Sequence, residues 1–266
     1  MSYLQWLLAI SFAFFLLERL RPARAAQPAL RGQLGNDLGY LLFNGHFYAV
    51  LTGSLAGAVA ATSRDLLASV SLLPETGWLN ERSFALQFAV YLLVSDFLQW
   101  NVHRLLHGVP WLWQFHKVHH SVQAMDWAAN FRFHWGELVV YRGLLYVPLL
   151  WLGGSPEPLF AVAVFATAWG HFNHANLDLG LGPLARVFNS PRMHLWHHDA
   201  SDEGGVAKNF GIVLSLWDFL FGTAYWPRGR PPERIGYPGD EEMPRLWPSQ
   251  ALFPLVRAGG RERDAS

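Results

Sequence analysis

The stretch that decides the fold is residues 84–107, which read FALQFAVYLLVSDFLQWNVHRLLH. One acid, Asp96, interrupts the apolar run from 84 to 102, and this run leads directly into His103 and His107. A helix rises about 1.5 Å per residue and the bilayer core is about 30 Å thick, so a run of this length is typical of a membrane helix. Residues four apart share one helical face. We therefore predict a membrane helix that presents two histidines side by side at its end.

Further apolar runs accompany this stretch, at residues 3–17, 38–62, 138–153 and 159–170. Glycine and proline at 153–158 separate the last two runs, which favours a tilted hairpin over two ideal spans. The chain is 52% hydrophobic and 15% charged, and that charge content lies well below the roughly 25% usual in soluble domains. These features predict an all-α fold: a polytopic membrane helical bundle of about 4–5 transmembrane or hairpin helices with a cytoplasmic histidine-rich helical cap.

Arginines predict the orientation of this bundle. Arg19, Arg21, Arg24 and Arg31 follow the first apolar run, and the positive-inside rule places this loop in the cytoplasm. A secretory signal peptide is the alternative for the first run, but no basic residue precedes it. With the amino terminus outside, the runs at 84–102 and 159–170 both end at the cytoplasmic face. We predict an integral, multi-pass membrane protein whose histidine clusters lie on that face.

The same patterns divide the chain into three regions. Residues 1–83 are predicted to form N-terminal membrane helices, and residues 84–225 a histidine-rich catalytic domain. Residues 226–266 are rich in proline, glycine, arginine and glutamate, and are predicted to form a polar, loosely ordered cytoplasmic tail.

Composition excludes several functions. Lysine plus arginine and aspartate plus glutamate both number 20, so no net charge favours a nucleic acid partner. The chain has no cysteine, which excludes disulfides, thiolate metal sites and cysteine-ligated iron–sulfur clusters within it. Electrons for any redox reaction must therefore come from an external donor.

Eleven of the twelve histidines lie between residues 103 and 198, and ten of these fall in four clusters. Imidazole is well suited to bind a transition metal as a neutral ligand, and spacings of three or four residues aim the rings of one cluster at one point. Ten rings are too many for one metal ion, so the count predicts two metal ions close together. The predicted metal ligands are His103, His107, His116, His119, His120, His171, His174, His194, His197 and His198.

The two remaining histidines are interpreted differently. His46 lies alone in the second apolar run and is interpreted as a hydrogen-bonded polar residue within the membrane. His134 is left open between an extra metal ligand and a residue that supports a ligand. Asp96, Glu137 and Asp218 are candidates for the same two roles, since a carboxylate can orient a ligating imidazole through its second N–H. Capping or surface positions are the alternative for these acids.

Ligand type narrows the metal only partly. Imidazole suits zinc, copper, iron and nickel alike. A structural zinc needs four ligands and favours cysteine, so it leaves about six histidines unexplained. A pair of redox metals accounts better for the count. At a membrane face, such a pair suits activation of dioxygen toward an unreactive C–H bond of a lipid.

Three histidine boxes carry a resemblance to a known family. Residues 96–107 read DFLQWNVHRLLH, residues 116–121 read HKVHHS, and residues 189–198 read NSPRMHLWHH. Downstream, NFG at 209–211 and WDFLFGT at 217–223 are similar to a closing NxG…WDxxFGT segment. Over about residues 84–225, the chain resembles the fatty acid hydroxylase / sterol desaturase superfamily. RFHWGE at 132–137 resembles an RxHPxE element of part of this family, with Trp135 in place of the proline.

This resemblance implies an integral-membrane, non-haem di-iron enzyme that uses dioxygen and two external electrons to hydroxylate or desaturate a lipid. It implies that the eight box histidines are ligands, and it matches His174 to an additional histidine before the third box. His171 is added as a tenth ligand by its position three residues earlier. Two iron ions are the expected cofactor, with dioxygen as co-substrate, although zinc can occupy such ligands in a purified protein.

Hydroxylation, a monooxygenation of a lipid C–H bond, is the favoured reaction, and desaturation is the alternative within the family. From another class, a non-catalytic membrane metal-binding or transport protein needs ligands along a path across the membrane, whereas these gather at one face. A membrane zinc hydrolase should carry a motif such as HExxH, which is absent from the sequence.

Predicted partners are the membrane, a lipid substrate and an external electron donor of ferredoxin, cytochrome or flavoprotein type. The substrate class stays open among fatty acyl chains, ether lipids, sterol-like or hopanoid rings, and carotenoids.

Overall fold

The structure, a computed structural model, describes residues 1–69, 78–200, 208–227 and 231–255. Helices dominate these residues, and no strand is present among them, which confirms the predicted all-α class. Short 3₁₀ helices lie at Trp127–Phe131, Gly182–Arg186 and Asp240–Glu242, and a π-helical turn lies at Phe43–Phe47. The α-helices of the described residues are α1 (Tyr3–Leu20), α2 (Leu34–Leu42), α3 (Tyr48–Ser69), α4 (Phe84–Gly108), α5 (Pro110–His120), α6 (Trp135–Trp151), α7 (Pro156–His174), α8 (Pro191–His197), α9 (Leu216–Phe221) and α10 (Trp247–Leu252).

Local sequence explains where the long helices begin. Ser2 caps α1 in a capping box with Gln5, and the Ser83 side chain accepts a backbone hydrogen bond at the start of α4. Pro110 and Pro156 occupy the first turns of α5 and α7, where a missing N–H removes no helical hydrogen bond. The starts of α1, α4 and α7 lie within a few residues of predicted apolar runs.

Three of the long helices run in the same direction. Tyr3 and Ser11 of α1 contact Thr167 and His171 of α7 in the same order, so α1 and α7 are parallel. The first turns of α4 hydrogen-bond with the loop at 154–155 that leads into α7. The carboxyl-terminal ends of α1, α4 and α7 therefore lie together.

The other two long helices run in the opposite direction. Thr52 and Ser63 of α3 contact Arg142 and Trp151 of α6 in the same order. α6 packs against α4 as well as α3. Its amino-terminal end meets the carboxyl-terminal ends of α4 and α7, and we call this end of the bundle the histidine end.

The structure interrupts one predicted apolar run and joins two others by a tight turn. The run at 38–62 is not one uninterrupted α-helix, because the π-helical turn that contains His46 lies between α2 and α3. The runs at 138–153 and 159–170 form α6 and α7, joined by a short turn in which Gly153 has a φ of 67°. A left-handed φ favours glycine, so this residue suits the tight reversal that was predicted.

Among the described helices, α1 alone is both long and apolar enough to cross a membrane by length and composition. Of its 18 residues, Leu7, Ser11 and Glu18 are buried. The other long helices carry more polar residues, which include Asp96 in α4, and Glu137 and Arg142 in α6.

Residues 109–134, 175–200, 208–227 and 231–255 cover the histidine end, and we call them the cap. A buried ionic network ties the cap to α2. Arg31 pairs with Asp126 at 2.7 Å and with Asp37, and Arg132 also pairs with Asp37. Removing one member would leave the others as uncompensated buried charges, which is strongly destabilising. The network therefore holds the segment 127–131 firmly against the bundle.

Much of the predicted loose tail is packed instead. Tyr237 and Met243 are buried in a hydrophobic cluster with Tyr40 of α2 and Val118 of α5. The Gln250 side chain is also buried. The prediction of a loosely ordered tail is therefore wrong for residues 231–255, where apolar residues at wide spacing reach the core. The rest of that prediction, at 228–230 and 256–266, lies outside the described residues.

Candidate metal centre

Nine of the predicted ligands form two compact groups at the histidine end. Within each group, one ring nitrogen per residue lies within 4.8 Å of all the others. We call them the five-histidine group and the four-histidine group. The first contains His103, His107, His116, His120 and His197, and the second contains His119, His174, His194 and His198.

The two HxxHH boxes contribute to these groups in opposite ways. In the box on α5, the first and last histidines join the five-histidine group and the middle one joins the four-histidine group. In the box that begins on α8, the first and last join the four-histidine group and the middle one joins the five-histidine group. Neighbouring residues on a helix point about 100° apart, so one HxxHH box can serve two centres at once.

Five of these imidazoles donate their Nδ1–H to fixed oxygen atoms. A carbonyl oxygen can only accept, so the ring nitrogen beside it must carry the proton and Nε2 must be the lone-pair nitrogen. The contacts are His103 to Phe210 O at 2.8 Å, His119 to Arg132 O at 3.3 Å, His174 to Gly170 O at 2.8 Å, His197 to Lys208 O at 2.7 Å, and His116 to a Glu137 carboxylate oxygen at 2.8 Å.

Unprotonated Nε2 atoms consequently face one another at short distances. His103 Nε2 lies 3.2 Å from His116 Nε2, and His119 Nε2 lies 3.3 Å from His174 Nε2. With both Nδ1 atoms protonated, neither member of a pair can donate to the other, and the two lone pairs repel. A cation between them removes the repulsion. A metal about 2.0–2.1 Å from each imidazole nitrogen places neighbouring ligand atoms about 3.0–3.4 Å apart, depending on coordination geometry.

Further atoms fit a metal site in the same way. His194 Nε2 lies 3.1 Å from His174 Nε2 and 3.2 Å from His198 Nε2. His197 Nε2 is buried without a hydrogen-bond partner among the described residues. An unpaired buried polar nitrogen is costly unless a ligand satisfies it. The donor set therefore fits two transition-metal ions, one per group.

Burial keeps these imidazoles neutral, as metal ligands must be. In the cap, loss of solvation lowers the pKa of each box histidine, and repulsion from neighbouring imidazoles lowers the pKa further. The histidines whose pKa is lowered in this way are His116, His119, His120, His194, His197 and His198. Neutral imidazoles keep their lone pairs available for a metal at physiological pH.

His171 lies outside both groups, which corrects the prediction of ten clustered ligands. Its Nδ1 lies 2.9 Å from Thr167 O and 3.0 Å from Asn130 Nδ2, and its Nε2 forms a hydrogen bond with Ser11 Oγ at 3.0 Å. Its ring also stacks on Trp127. A spacing of three residues leaves about 60° between the two side chains of the pair, enough for His171 to face α1 while His174 faces the four-histidine group.

His134 also lies outside both groups, which resolves its open role. Its Nδ1 accepts a hydrogen bond from the Gly136 N–H at 2.9 Å, so it is the amino-terminal cap of α6. Its Nε2–H donates to Ala251 O at 2.9 Å, and the Trp135 indole donates to the same carbonyl. His134 and Trp135 therefore anchor residues 247–252 to α6.

The three candidate acids have two different roles. Glu137 Oε1 accepts a hydrogen bond from His116, which is itself a candidate metal ligand. The other carboxylate oxygen of Glu137, Oε2, has no hydrogen-bond partner among the described residues. Asp96 and Asp218 touch neither histidine group. Asp96 accepts hydrogen bonds from Val213 N, Leu214 N and the Trp217 indole.

Asp218 supports a ligand candidate at one remove. It accepts hydrogen bonds from Phe210 N and Gly211 N at 2.9 Å each, and from the Trp100 indole at 3.0 Å. Burial raises the pKa of Asp218. By holding Phe210, it fixes the carbonyl that orients His103.

A cavity of about 830 Å³ borders both histidine groups. His103 and His116 of one group and His119 and His174 of the other line its inner end. From there it extends along α6 and α7 to Leu149 at the far end of the bundle, and residues of α1, α3 and α4 complete its mainly apolar wall. His46, interpreted from sequence as a polar residue apart from the metal, lies in neither group and lines this cavity.

Several residues of the site escaped the sequence analysis. Backbone carbonyls that orient the imidazoles have no side-chain signature at all. Two side chains of the cavity wall did leave a signal: Gln99 lies four residues before His103 on the same face, and Arg142 is a charge inside an apolar run.

Comparison with known proteins agrees with this centre. A family model described as "Fatty acid hydroxylase" matches residues 88–223. The chain is 33% identical over 253 residues to the ornithine lipid hydroxylase OlsE of Rhizobium tropici, covering 93% of this chain and 73% of that protein. It is 30% identical over 155 residues to the alkylglycerol monooxygenase of Homo sapiens, and 25% identical over 148 residues to methylsterol monooxygenase 1-3 of Arabidopsis thaliana.

These last two matches are partial. They cover 55% and 52% of this chain, and 34% and 47% of the relatives. No solved structure matches the chain. The family model alone covers more than half of the 266 residues and includes all three histidine boxes. The chain belongs to the fatty acid hydroxylase family, as its histidine boxes predicted.

Proposed function

We propose that this protein is an integral-membrane, non-haem di-iron oxidoreductase that hydroxylates a C–H bond of a lipid. The observation that carries the proposal is the pair of all-nitrogen histidine groups at the inner end of a long apolar cavity. The overall reaction consumes one dioxygen, two electrons and two protons, and yields the hydroxylated lipid and water.

The relatives support a lipid as the substrate. The names of three of them describe hydroxylation or monooxygenation of an ornithine lipid, an alkylglycerol and a methylsterol. The match to the ornithine lipid hydroxylase extends over most of both chains. These names have oxygen insertion in common, which favours hydroxylation over desaturation for this chain.

The protein's own residues would bind, orient and exclude water. Nine imidazoles would hold two iron ions, which when bound supply the chemistry of dioxygen activation. Glu137 accepts the Nδ1–H of His116, which fixes the ring and raises its basicity as a ligand. The apolar cavity wall would hold the lipid tail and keep water from the reacting carbon.

We propose further that the bundle spans the membrane several times, with the cap on the cytoplasmic side. Large apolar side chains are exposed on the outer faces of several long helices, for example Phe12 of α1, Leu51 of α3, Leu93 of α4 and Leu144 of α6. An exposed apolar surface of this extent is typical of contact with lipid. The arginines after α1 favour a cytoplasmic cap, where a ferredoxin-, cytochrome- or flavoprotein-type donor could deliver electrons.

The proposal is tested with the full chain loaded with iron and reconstituted in bilayers. We expect about two irons per chain, oxygen uptake in the presence of a chemical or protein reductant, and a membrane lipid heavier by one oxygen atom. Lipid profiles of cells with and without the gene identify that lipid. A species lighter by two hydrogens would indicate desaturation. Di-iron protein that consumes no oxygen with any membrane lipid would contradict the proposal.

A further inference from the structure

Arg142 is a buried cation with neutral partners. It lies in the middle of α6 and is 9% exposed. Its guanidinium donates to Thr52 Oγ1 at 2.8 Å and to Asn44 O at 3.0 Å. Across the part of the chain that the structure describes, no carboxylate forms an ion pair with it.

The other deeply buried arginines provide an internal comparison. Arg31 and Arg132 are 6% and 0% exposed, and each pairs with a buried aspartate. Buried charges are normally compensated in this way, because an unpaired charge loses its hydration without recovering it. A guanidinium has five N–H donors, so the two hydrogen bonds position the Arg142 side chain and leave three N–H groups available. Arg31 and Arg132 each have an aspartate as counterion, whereas Arg142 has no carboxylate counterion among the described residues.

The position of Arg142 indicates where that counterion would come from. Its side chain lines the cavity that borders both histidine groups, together with His46. Arg142 follows Glu137 by five residues, which corresponds to about 7.5 Å along the helix. Closer to the metal centre, the polar residues Gln99 and Glu137 also line the cavity. Polar groups thus gather toward the metal end, while the far end of the cavity is apolar.

We propose that Arg142 binds an anionic group of the lipid substrate, a carboxylate or a phosphate ester, inside this cavity. The inference rests on the proposed function and adds to it the charge of the substrate. The anionic group lies between the metal centre and the apolar far end of the cavity. A guanidinium suits both anions, since each accepts two parallel hydrogen bonds from it.

The first test measures binding and does not depend on turnover. Tryptophan fluorescence titrations on the full-length, metal-loaded protein in a nonionic detergent compare dodecanoate, dodecyl phosphate and dodecanol. We expect one or both anions to bind about 10-fold to 100-fold more tightly than the alcohol, the range for hydrogen bonds to a charged group. The stronger of the two anions assigns the group as carboxylate or phosphate. Equal binding of all three probes would overturn the proposal.

Variants connect the preference to this residue. Arg142→Gln keeps hydrogen-bonding capacity without charge, and should bring the affinity for the anions down to that for dodecanol. Arg142→Lys keeps the charge but not the planar fork, and should retain part of the preference. Arg186→Gln is the matched control, since Arg186 is exposed and lies outside the cavity. An anion preference that persists in Arg142→Gln would refute the assignment.

Measurements of lipid oxidation distinguish a failure of the anion site from a failure of the proposed function. With an anionic lipid substrate, Arg142→Gln should raise KM and leave the iron content at its wild-type level. A wild-type protein that prefers the anionic probes but oxidises no lipid would contradict the proposed function and leave the anion site standing. A protein that oxidises lipids equally well with and without Arg142 would contradict the anion site alone. If Arg142→Gln does not fold, the wild-type comparison of the three probes and Arg142→Lys still decide the question.

Discussion

The five-histidine and four-histidine groups use the same sequence motif with opposite assignments. The five-histidine group takes a pair from the end of α4, whereas the four-histidine group takes His174 alone from the end of α7. A carboxylate, Glu137, orients a ring only in the first group among the described residues, while His194 and His198 of the second have Nδ1 atoms without partners. Two metals held by these groups would therefore be inequivalent in ligand number and in ligand basicity.

Loss of a ligand from the smaller group should have the largest effect. His194→Ala leaves three histidines there, so we expect the iron content to fall from about two to about one per chain. Hydroxylation should fall by more than about 100-fold, beyond what loss of an outer hydrogen-bond partner costs. Metal analysis and product formation measure the two effects. A variant that keeps both metals would show that His194 is not a ligand.

Changing Glu137 probes the chemical difference between the groups. In Glu137→Gln, an amide oxygen replaces the carboxylate as acceptor for His116, so the ring becomes a weaker ligand. We expect about a 10-fold to 100-fold loss in metal affinity or activity. The loss should affect the five-histidine group selectively, and competition with a metal chelator measures the affinity at each site. Glu157→Gln, an exposed acid at the start of α7, is the control and should behave as the wild type.

Asp218 tests how much of the five-histidine group depends on the cap. Asp218→Ala removes the acceptor for Phe210 N, Gly211 N and the Trp100 indole, and leaves buried donors unpaired. Each unpaired donor costs about 1–3 kcal/mol, so thermal unfolding should begin at a clearly lower temperature. Asp178→Ala is the comparison, since the side chain of Asp178 is 66% exposed. Equal melting temperatures for the two variants would argue against this role.

His171 should show the smallest effect. His171→Gln removes a ring that contacts Ser11 and Thr167 but neither histidine group. We expect both metals to stay bound, activity to change little, and stability to fall by about 1 kcal/mol, the net value of an ordinary hydrogen bond. Loss of one metal from this variant would instead indicate that His171 is a metal ligand, and the two groups would no longer differ in the number of their histidines.

Sequence by itself determined the helices, the histidine boxes and the family. Apolar runs predict helices because helix formation depends on residues close together in the sequence. A run must also reach a minimum length for the helix to be buried or to cross a membrane. The boxes at 103–107, 116–120 and 194–198 are readable because ligands on one helix recur at three or four residues. Joint spacing of these boxes identified the family, and the family model matches the same region.

Only the tertiary structure decided which histidines share a centre. Helical spacing indicates which side chains share a face of a helix, but it does not indicate what that face packs against. His171 and His174 are therefore equivalent in the sequence, whereas in the structure His171 contacts α1 and His174 joins the four-histidine group. The same limit applies to His134, which caps α6, and to residues 231–255, which fold back onto the cap. Carbonyl acceptors and the uncompensated Arg142 likewise depend on contacts between residues far apart in the chain. These contacts are set by packing, and packing has no local signature in the order of the residues.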